Sequence, residues 1–130
     1  MSYILVVEDD SRQMKLYCDA LEAVQATYTV LKADNLATAF ELFETYEHEI
    51  AAMIIDGAVP ATRETVQDGE GRLTTIPFIQ SVKSRAFRGL MVAASTREDY
   101  RQTMTYYGCS QGVPKREAAQ QVIGWLREYR

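Results

Sequence analysis

The sequence contains few of the residues that build zinc or redox centres. It has one histidine, His48, and two cysteines, Cys18 and Cys109, neither of which belongs to a Cys-x-x-Cys pair. A histidine-rich zinc site is therefore nearly excluded. We expect both thiols to be reduced packing residues of an intracellular protein. A disulfide between them is compatible with the sequence but has no positive support.

The chain also lacks the marks of membrane, secreted and nucleotide-binding proteins. No hydrophobic run approaches a membrane span in length, and no cleavage pattern follows the short apolar run at residues 3–7. Neither GxGxxG nor GxxxxGK(S/T) is present. The net charge of -4, without a basic stripe, argues against nucleic-acid binding. We expect a cytoplasmic protein that binds neither membranes nor nucleic acids.

The remaining composition and the hydrophobic pattern indicate one α/β domain over residues 1–130. A 47% hydrophobic and 25% charged composition is ordinary for a globular chain. Short apolar runs alternate with amphipathic helical patterns five times, which predicts a doubly wound parallel sheet with helices on both faces. The predicted strands are residues 3–7, 28–31, 51–55, 90–94 and 111–113.

Polar residues follow four of these strands. Glu8 and Asp9 follow the first strand, Asp56 the third, Ser95 the fourth and Lys115 the fifth. In a doubly wound sheet the functional site lies outside the carboxyl ends of the strands. Because crowded carboxylates repel one another, the acids favour a bound cation, and Mg²⁺ suits an all-oxygen site.

Four short motifs, in this order, resemble the receiver domain of two-component response regulators over nearly the whole chain. They are Ile4-Leu5-Val6-Val7-Glu8-Asp9-Asp10, Ile54-Ile55-Asp56-Gly57-Ala58-Val59-Pro60, Val92-Ala93-Ala94-Ser95, and Gly108-Cys109 followed by Val113-Pro114-Lys115. The resemblance implies a flavodoxin-like sheet with strand order 2-1-3-4-5, as in a chemotaxis-type single-domain receiver.

The resemblance also implies a role for each site residue. Asp56 accepts a phosphoryl group, Ser95 donates a hydrogen bond to it, and Lys115 offsets its charge. Asp9 and Asp56 ligate Mg²⁺ directly, Glu8 acts partly through water, and the Ala58 carbonyl is a further ligand.

The implied function is signalling in a two-component system or phosphorelay. Such a domain catalyses its own phosphotransfer and dephosphorylation and is not an enzyme acting on a separate substrate. The implied partners are a histidine kinase or histidine phosphotransfer protein as donor, and a downstream effector protein. The expected output surface is formed by the fourth helix, fifth strand and fifth helix.

Each motif also has a simpler structural interpretation. The acids after the first strand include a helix cap, a role that Asp10 or Ser11 fits. Asp56 before a glycine is a common turn residue. Ser95-Thr96-Arg97-Glu98 has the pattern of a capping box, and Lys115 alone would be a solvated lysine.

Two other functions remain open. One is a degenerate receiver that binds partners without phosphorylation. The other is a phosphatase of the haloacid dehalogenase type, which also uses a strand-end aspartate. That class has a second aspartate two residues on, where this chain has Ala58.

The chain departs from the receiver pattern at several positions. The excess length lies near Ala61–Leu73. Gly112 stands where receivers often have an aromatic residue, and Arg116 where they usually have a proline. Ala58 and Arg97 occupy positions that tune dephosphorylation, and neither can position water as an acid or amide does. We therefore expect a long-lived acyl phosphate.

Overall fold

The structure of the protein is a computed structural model that describes residues 3–64 and 72–129. Within these ranges five strands alternate with five α-helices. The strands are β1 (Tyr3–Val7), β2 (Thr29–Ala33), β3 (Ile50–Asp56), β4 (Leu90–Ala94) and β5 (Gln111–Val113). The helices are α1 (Ser11–Leu21), α2 (Leu36–Tyr46), α3 (Ile76–Ser84), α4 (Glu98–Tyr107) and α5 (Lys115–Tyr129).

The strands form one parallel sheet in the order β2-β1-β3-β4-β5. This confirms the predicted fold class and strand order. Val7 of β1 pairs with Ile55 of β3, and Asp56 of β3 pairs with Ala94 of β4. The residues that follow these strands therefore begin at one edge of the sheet, side by side.

The sheet separates two hydrophobic cores, because alternate strand residues face opposite sides. Strand residues such as Val6 and Val92 pack with α1 and α5 on one face. Val7 and Met91 belong to the other face, which packs against α2, α3 and α4. β3 is buried along its whole length, as expected of a strand covered on both faces.

Local sequence signals predict helix starts at Asp10 or Ser11 and at Asp34 or Asn35, and side-chain caps confirm both starts. The Asp10 carboxylate accepts hydrogen bonds from the backbone N–H groups of Arg12 and Gln13. The Asn35 side-chain oxygen accepts one from Thr38 N–H at 2.8 Å. These bonds satisfy donors that the first turn of a helix leaves unpaired.

The capping box predicted at Ser95–Glu98 is wrong. The N-cap of α4 is Arg97, which makes no capping side-chain bond. The Ser95 hydroxyl oxygen accepts instead from Arg97 N–H at 3.1 Å, two residues on, which is a local turn before the helix. Ser95 therefore belongs to the loop at the end of β4 and leaves the helix start without a side-chain cap.

Smaller differences concern element ends. β2 starts one residue later than predicted and continues to Ala33, where it runs alongside Val7 of β1. A 3₁₀ turn, Glu22–Val24, follows α1. Tyr107, the last residue of α4, is 39% exposed.

The predicted long loop at Ala61–Arg72 is described only in part. Residues 61–64 form bends and turns. Asp68 and Glu70, predicted as solvated loop acids, lie outside the described residues. Among the residues described, no helix is both long and apolar enough to cross a bilayer.

Candidate functional site

Three carboxylates meet at the carboxyl edge of the sheet. Glu8 and Asp9 directly follow β1, and Asp56 is the last residue of the neighbouring strand β3. One carboxylate oxygen from each residue lies within 4.8 Å of those of the other two. The parallel register thus brings together acids that are almost fifty residues apart in sequence.

The acids differ strongly in exposure. The side chain of Glu8 is 1% exposed and that of Asp56 10%, whereas Asp9 is exposed. Burial, followed by the neighbouring charge of Asp56, raises the pKa of Glu8 to about 7. Burial also raises the pKa of Asp56, and burial together with Glu8 raises that of Asp9. The cluster therefore holds more negative charge than its surroundings stabilise.

Lys115, the first residue of α5, brings the matching cation. Its Nζ donates to Glu8 Oε1 at 2.9 Å and lies 3.3 Å from Asp56 Oδ2. Burial by itself would lower the pKa of Lys115, but its contacts with Glu8 and Asp56 outweigh that effect and raise it. The ammonium group therefore stays charged beside the phosphoacceptor candidate. The structure brings together four of the site residues predicted from sequence.

The donor set fits a hard divalent cation. Three carboxylates with one lysine leave net negative charge, and oxygen is the ligand that Mg²⁺ prefers. Both Glu8 oxygens already accept hydrogen bonds, Oε1 from Lys115 and Oε2 from Asp10 N–H at 3.1 Å. Asp9 and Asp56 are therefore the better candidates for direct ligands, with Glu8 in support.

Ser95 lies at the same edge, one residue beyond Ala94, the partner of Asp56. It is 5% exposed. Because its oxygen accepts from Arg97 N–H, its hydroxyl hydrogen is the part that can be donated to another group. The structure therefore places Ser95 beside the acid cluster, and its role toward a phosphoryl group stays a prediction.

Thr74 and Thr75, which directly follow the Ala61–Leu73 segment, hold the loop that contains Ala58. The Thr74 hydroxyl accepts from Val59 N–H at 2.9 Å and donates to Val59 O at 2.8 Å. Thr75 donates its N–H and its hydroxyl to Gly57 O. Ala58 lies between these held residues, and metal binding by its carbonyl stays a prediction.

One departure from the receiver pattern, Arg116, directly follows Lys115. Arg116 is exposed, with its guanidinium 3.7 Å from Glu117. No cis peptide bond occurs in the described parts of the chain, so Lys115 follows a trans-linked Pro114. Lys115 reaches the acids without the proline that usually follows it in receivers.

Sequence reasoning missed two residues beside the site, Tyr17 and Arg101. The Tyr17 hydroxyl is buried, and it has no hydrogen-bond partner among the residues that the structure describes. Burial and the nearby charges of Glu8 and Asp56 raise its pKa. Helical spacing identifies Tyr17 as a core residue but cannot show that its polar end lies near the carboxylates. Arg101, on α4, was also missed, because no local pattern shows that its guanidinium reaches the backbone carbonyl of Ser95.

No protein-family model matches this chain, and no curated protein matches it in sequence. Solved structures do match it in fold. A receiver domain of DNA-binding response regulator merR from Colwellia psychrerythraea 34H is 17% identical, with a TM-score of 0.75 over 98% of this chain and 99% of that one. The receiver domain of Francisella response regulator 1452 is 12% identical, with a TM-score of 0.73 over 100% of both chains.

A third match is a chain of the CheX-CheY complex with BeF3 and Mg²⁺ from Borrelia burgdorferi. It is 11% identical, with a TM-score of 0.72 over 96% of this chain and 89% of that one. At these identities the likeness establishes the fold alone. The chain therefore has the receiver-domain fold, as the resemblance in its motifs predicted.

Proposed function

We propose that this chain is a phosphoacceptor signalling module that is phosphorylated on Asp56 in the presence of Mg²⁺. One observation carries the proposal: the Lys115 ammonium group contacts both Glu8 and Asp56 inside the three-carboxylate cluster. A surface lysine whose ammonium group was simply exposed to solvent would not lie against two largely buried acids. This arrangement supplies both a nucleophile and a cation for incoming phosphoryl oxygens.

Asp56 is the nucleophile of the proposed reaction. One of its carboxylate oxygens attacks phosphorus, the bond from phosphorus to the donor's nitrogen or oxygen breaks, and the leaving group departs with that electron pair. The product is an acyl phosphate. Asp56 ends β3, so its carboxylate is fixed by a buried strand and needs little reorganisation to react.

The other residues stabilise charge. Lys115 forms an ion pair with one phosphoryl oxygen, and Ser95 donates its free hydroxyl hydrogen to another. Asp9 and Asp56, supported by Glu8 and the Ala58 carbonyl, hold Mg²⁺. Bound Mg²⁺ offsets negative charge on the phosphoryl oxygens. The acyl phosphate forms and hydrolyses on the domain itself, which is not an enzyme for a separate substrate.

The proposed partners follow from this chemistry. The donor is a histidine kinase or a histidine phosphotransfer protein in the cytoplasm, and the output is binding of a downstream effector protein. Tyr106 at the end of α4 is 80% exposed and contacts Tyr107 edge to face, with 5.0 Å between ring centroids. Exposed aromatic side chains are frequent anchors of protein interfaces, which favours the α4–β5–α5 side as the output surface.

Incubation with acetyl phosphate and Mg²⁺ tests the proposal. We expect intact-protein mass spectrometry to show a gain of one phosphoryl group in the wild-type chain and none in Asp56→Asn. Asp19→Asn is the matched control, because Asp19 pairs with Lys15 on the exposed face of α1. This control should be modified as fast as the wild type.

The other outcomes identify the competing functions. Absence of any adduct, with acetyl phosphate or with candidate kinases, would support a phosphate-independent binding module. Sustained turnover of phosphate esters would support a phosphatase of the haloacid dehalogenase type. Modification that persists in Asp56→Asn would exclude Asp56 as the acceptor.

A further inference from the structure

Arg101 reaches from α4 back to the end of β4. Its Nη1 donates to the backbone carbonyl oxygen of Ser95 at 2.7 Å, six residues earlier in the chain. The Arg101 side chain is half-buried. A short hydrogen bond from a charged donor is among the stronger polar contacts in proteins. Arg101 is therefore tied to the residue that carries the site's hydroxyl.

Gly112 on β5 provides the space for this contact. A Cβ atom at residue 112 would lie 2.8 Å from the Arg101 Cβ, closer than side chains normally approach. The absence of a side chain at Gly112 lets the start of the Arg101 side chain pass close to β5. Any larger residue at 112 would force Arg101 or α4 to move.

The remaining contacts of Ser95 are weaker or local. Its N–H donates to Val113 O at 3.4 Å, and its hydroxyl oxygen accepts from Arg97 N–H at 3.1 Å. No side chain caps the start of α4, so no capping hydrogen bond anchors the loop between β4 and α4. The bond from Arg101 is the shortest of these three contacts. It fixes the main chain from which the Ser95 hydroxyl projects.

We propose that Arg101 is a positioning residue for the phosphoryl-binding hydroxyl of Ser95. The proposal rests on the proposed function, since it assigns Arg101 to the same phosphorylation reaction. Arg101 touches neither phosphoryl group nor metal. It holds the Ser95 carbonyl, and so keeps the hydroxyl hydrogen directed for donation as the phosphoryl group arrives. Gly112 also contributes, because its lack of a side chain leaves room for Arg101.

A double-mutant cycle with Ser95 tests whether Arg101 acts through that residue. The measured quantity is the rate constant for the phosphoryl mass gain with fixed acetyl phosphate and Mg²⁺. We expect Arg101→Ala to slow the gain about fivefold in the wild-type background. In the Ser95→Ala background the same substitution should have no further effect, since the hydroxyl that it positions is gone.

Three further variants separate positioning from charge and from folding. Arg116→Ala removes an exposed positive charge next to Lys115 without touching Ser95, and its rate should match that of the wild type. Arg101→Met keeps an unbranched side chain beside Gly112 but has no donor, so it should show the same slowing as Arg101→Ala, and it replaces that variant in the test if the alanine variant fails to fold. Arg101→Lys keeps a donor and should recover most of the rate.

The results distinguish failure of this inference from failure of the proposed function. A wild-type chain that forms no adduct overturns both. A wild-type adduct with equal or faster rates in Arg101→Ala and Arg101→Met overturns the positioning role alone. An Arg101→Ala effect of the same size with and without Ser95 also overturns it, because Arg101 would then act independently of the hydroxyl.

Discussion

The two sides of the candidate site are built in different ways. On the acid side, Glu8, Asp56 and Lys115 contact one another directly through their side chains at the ends of buried strands and the start of α5. On the hydroxyl side, Arg101 donates to the main-chain carbonyl of Ser95, and the Arg97 N–H donates to the Ser95 hydroxyl oxygen. The acid side is set by the sheet, whereas the hydroxyl side depends on where α4 lies.

This difference teaches how a receiver fold can keep its chemistry while changing the residues around it. The acids and Lys115 themselves follow the receiver pattern, although Ala58 and Arg116 near them depart from it. The departures at Gly112 and Arg97 belong to the hydroxyl side. The effects of substitution should follow the same division, with larger losses of phosphorylation on the acid side.

The largest expected effect is that of Lys115→Ala. Removing the ammonium group leaves Glu8 without a donor to Oε1 and takes a cation from the phosphoryl oxygens. We expect the rate of adduct formation to fall about 100-fold, as for loss of one preorganised stabilising group in an active site. Mass spectrometry with acetyl phosphate gives the rate. A variant within threefold of the wild type would remove Lys115 from the chemistry.

Ser95→Ala should have a smaller effect. The variant loses one hydrogen bond to a charged oxygen, which corresponds to a rate decrease of about tenfold. Thr96→Ala, which removes the adjacent exposed hydroxyl, serves as the control and should keep the wild-type rate. If Ser95→Ala lowered the rate as much as Lys115→Ala, the two sides would contribute equally to phosphorylation. That result would contradict the larger losses expected on the acid side.

Asp56→Asn should stabilise the metal-free fold even though it abolishes phosphorylation. Burial and, to a smaller extent, the charge of Asp9 raise the pKa of Asp56, and the charge of Asp56 in turn raises the pKa of Glu8, so the Asp56 charge is unfavourable. We expect an increase of about 1 kcal/mol in the free energy of unfolding in the presence of EDTA near neutral pH. Urea denaturation measures it. A decrease would mean that the contact with Lys115 outweighs the repulsion.

Gly112→Ala should have the smallest of these effects, and it tests the packing of the hydroxyl side. The added methyl group crowds Arg101, while alanine loses less conformational entropy on folding than glycine, so the two effects partly cancel. We expect a loss of about 0.5 kcal/mol in the free energy of unfolding. Gly124→Ala is the matched control, since nothing lies within 4 Å of a Cβ there. Equal or greater stability of Gly112→Ala would show that Arg101 is not close-packed against β5.

The acid side could be predicted from sequence because parallel strands end at one edge. Glu8, Asp56 and Lys115 each adjoin a strand, so the strand pattern alone brings them together. The fold class was predictable from the alternation of strands and helices, whereas the strand order came from the resemblance to receiver domains. The caps at Asp10 and Asn35 were predictable because the signals for helix starts are local.

The hydroxyl side was less predictable because it depends on contacts between elements. The Ser95–Glu98 motif satisfies a capping-box pattern, yet the helix starts later and the hydroxyl bonds inside the loop. The sequence shows that residue 112 is a glycine, without a side chain, but it does not identify the residue that packs closely against it. Which helix face approaches β5 is a matter of tertiary packing, which no local pattern encodes.

Thr74 has a consequence for how this protein could diversify. Its hydroxyl bonds to both the N–H and the carbonyl of Val59, fifteen residues earlier. The chain therefore returns at a fixed point to the loop that follows the carboxyl end of β3. The two bonds do not depend on the length of the chain between Val59 and Thr74. Lengthening such an excursion raises its closure entropy only slowly. The length and sequence of this stretch can therefore vary while the Asp56 carboxylate keeps its place.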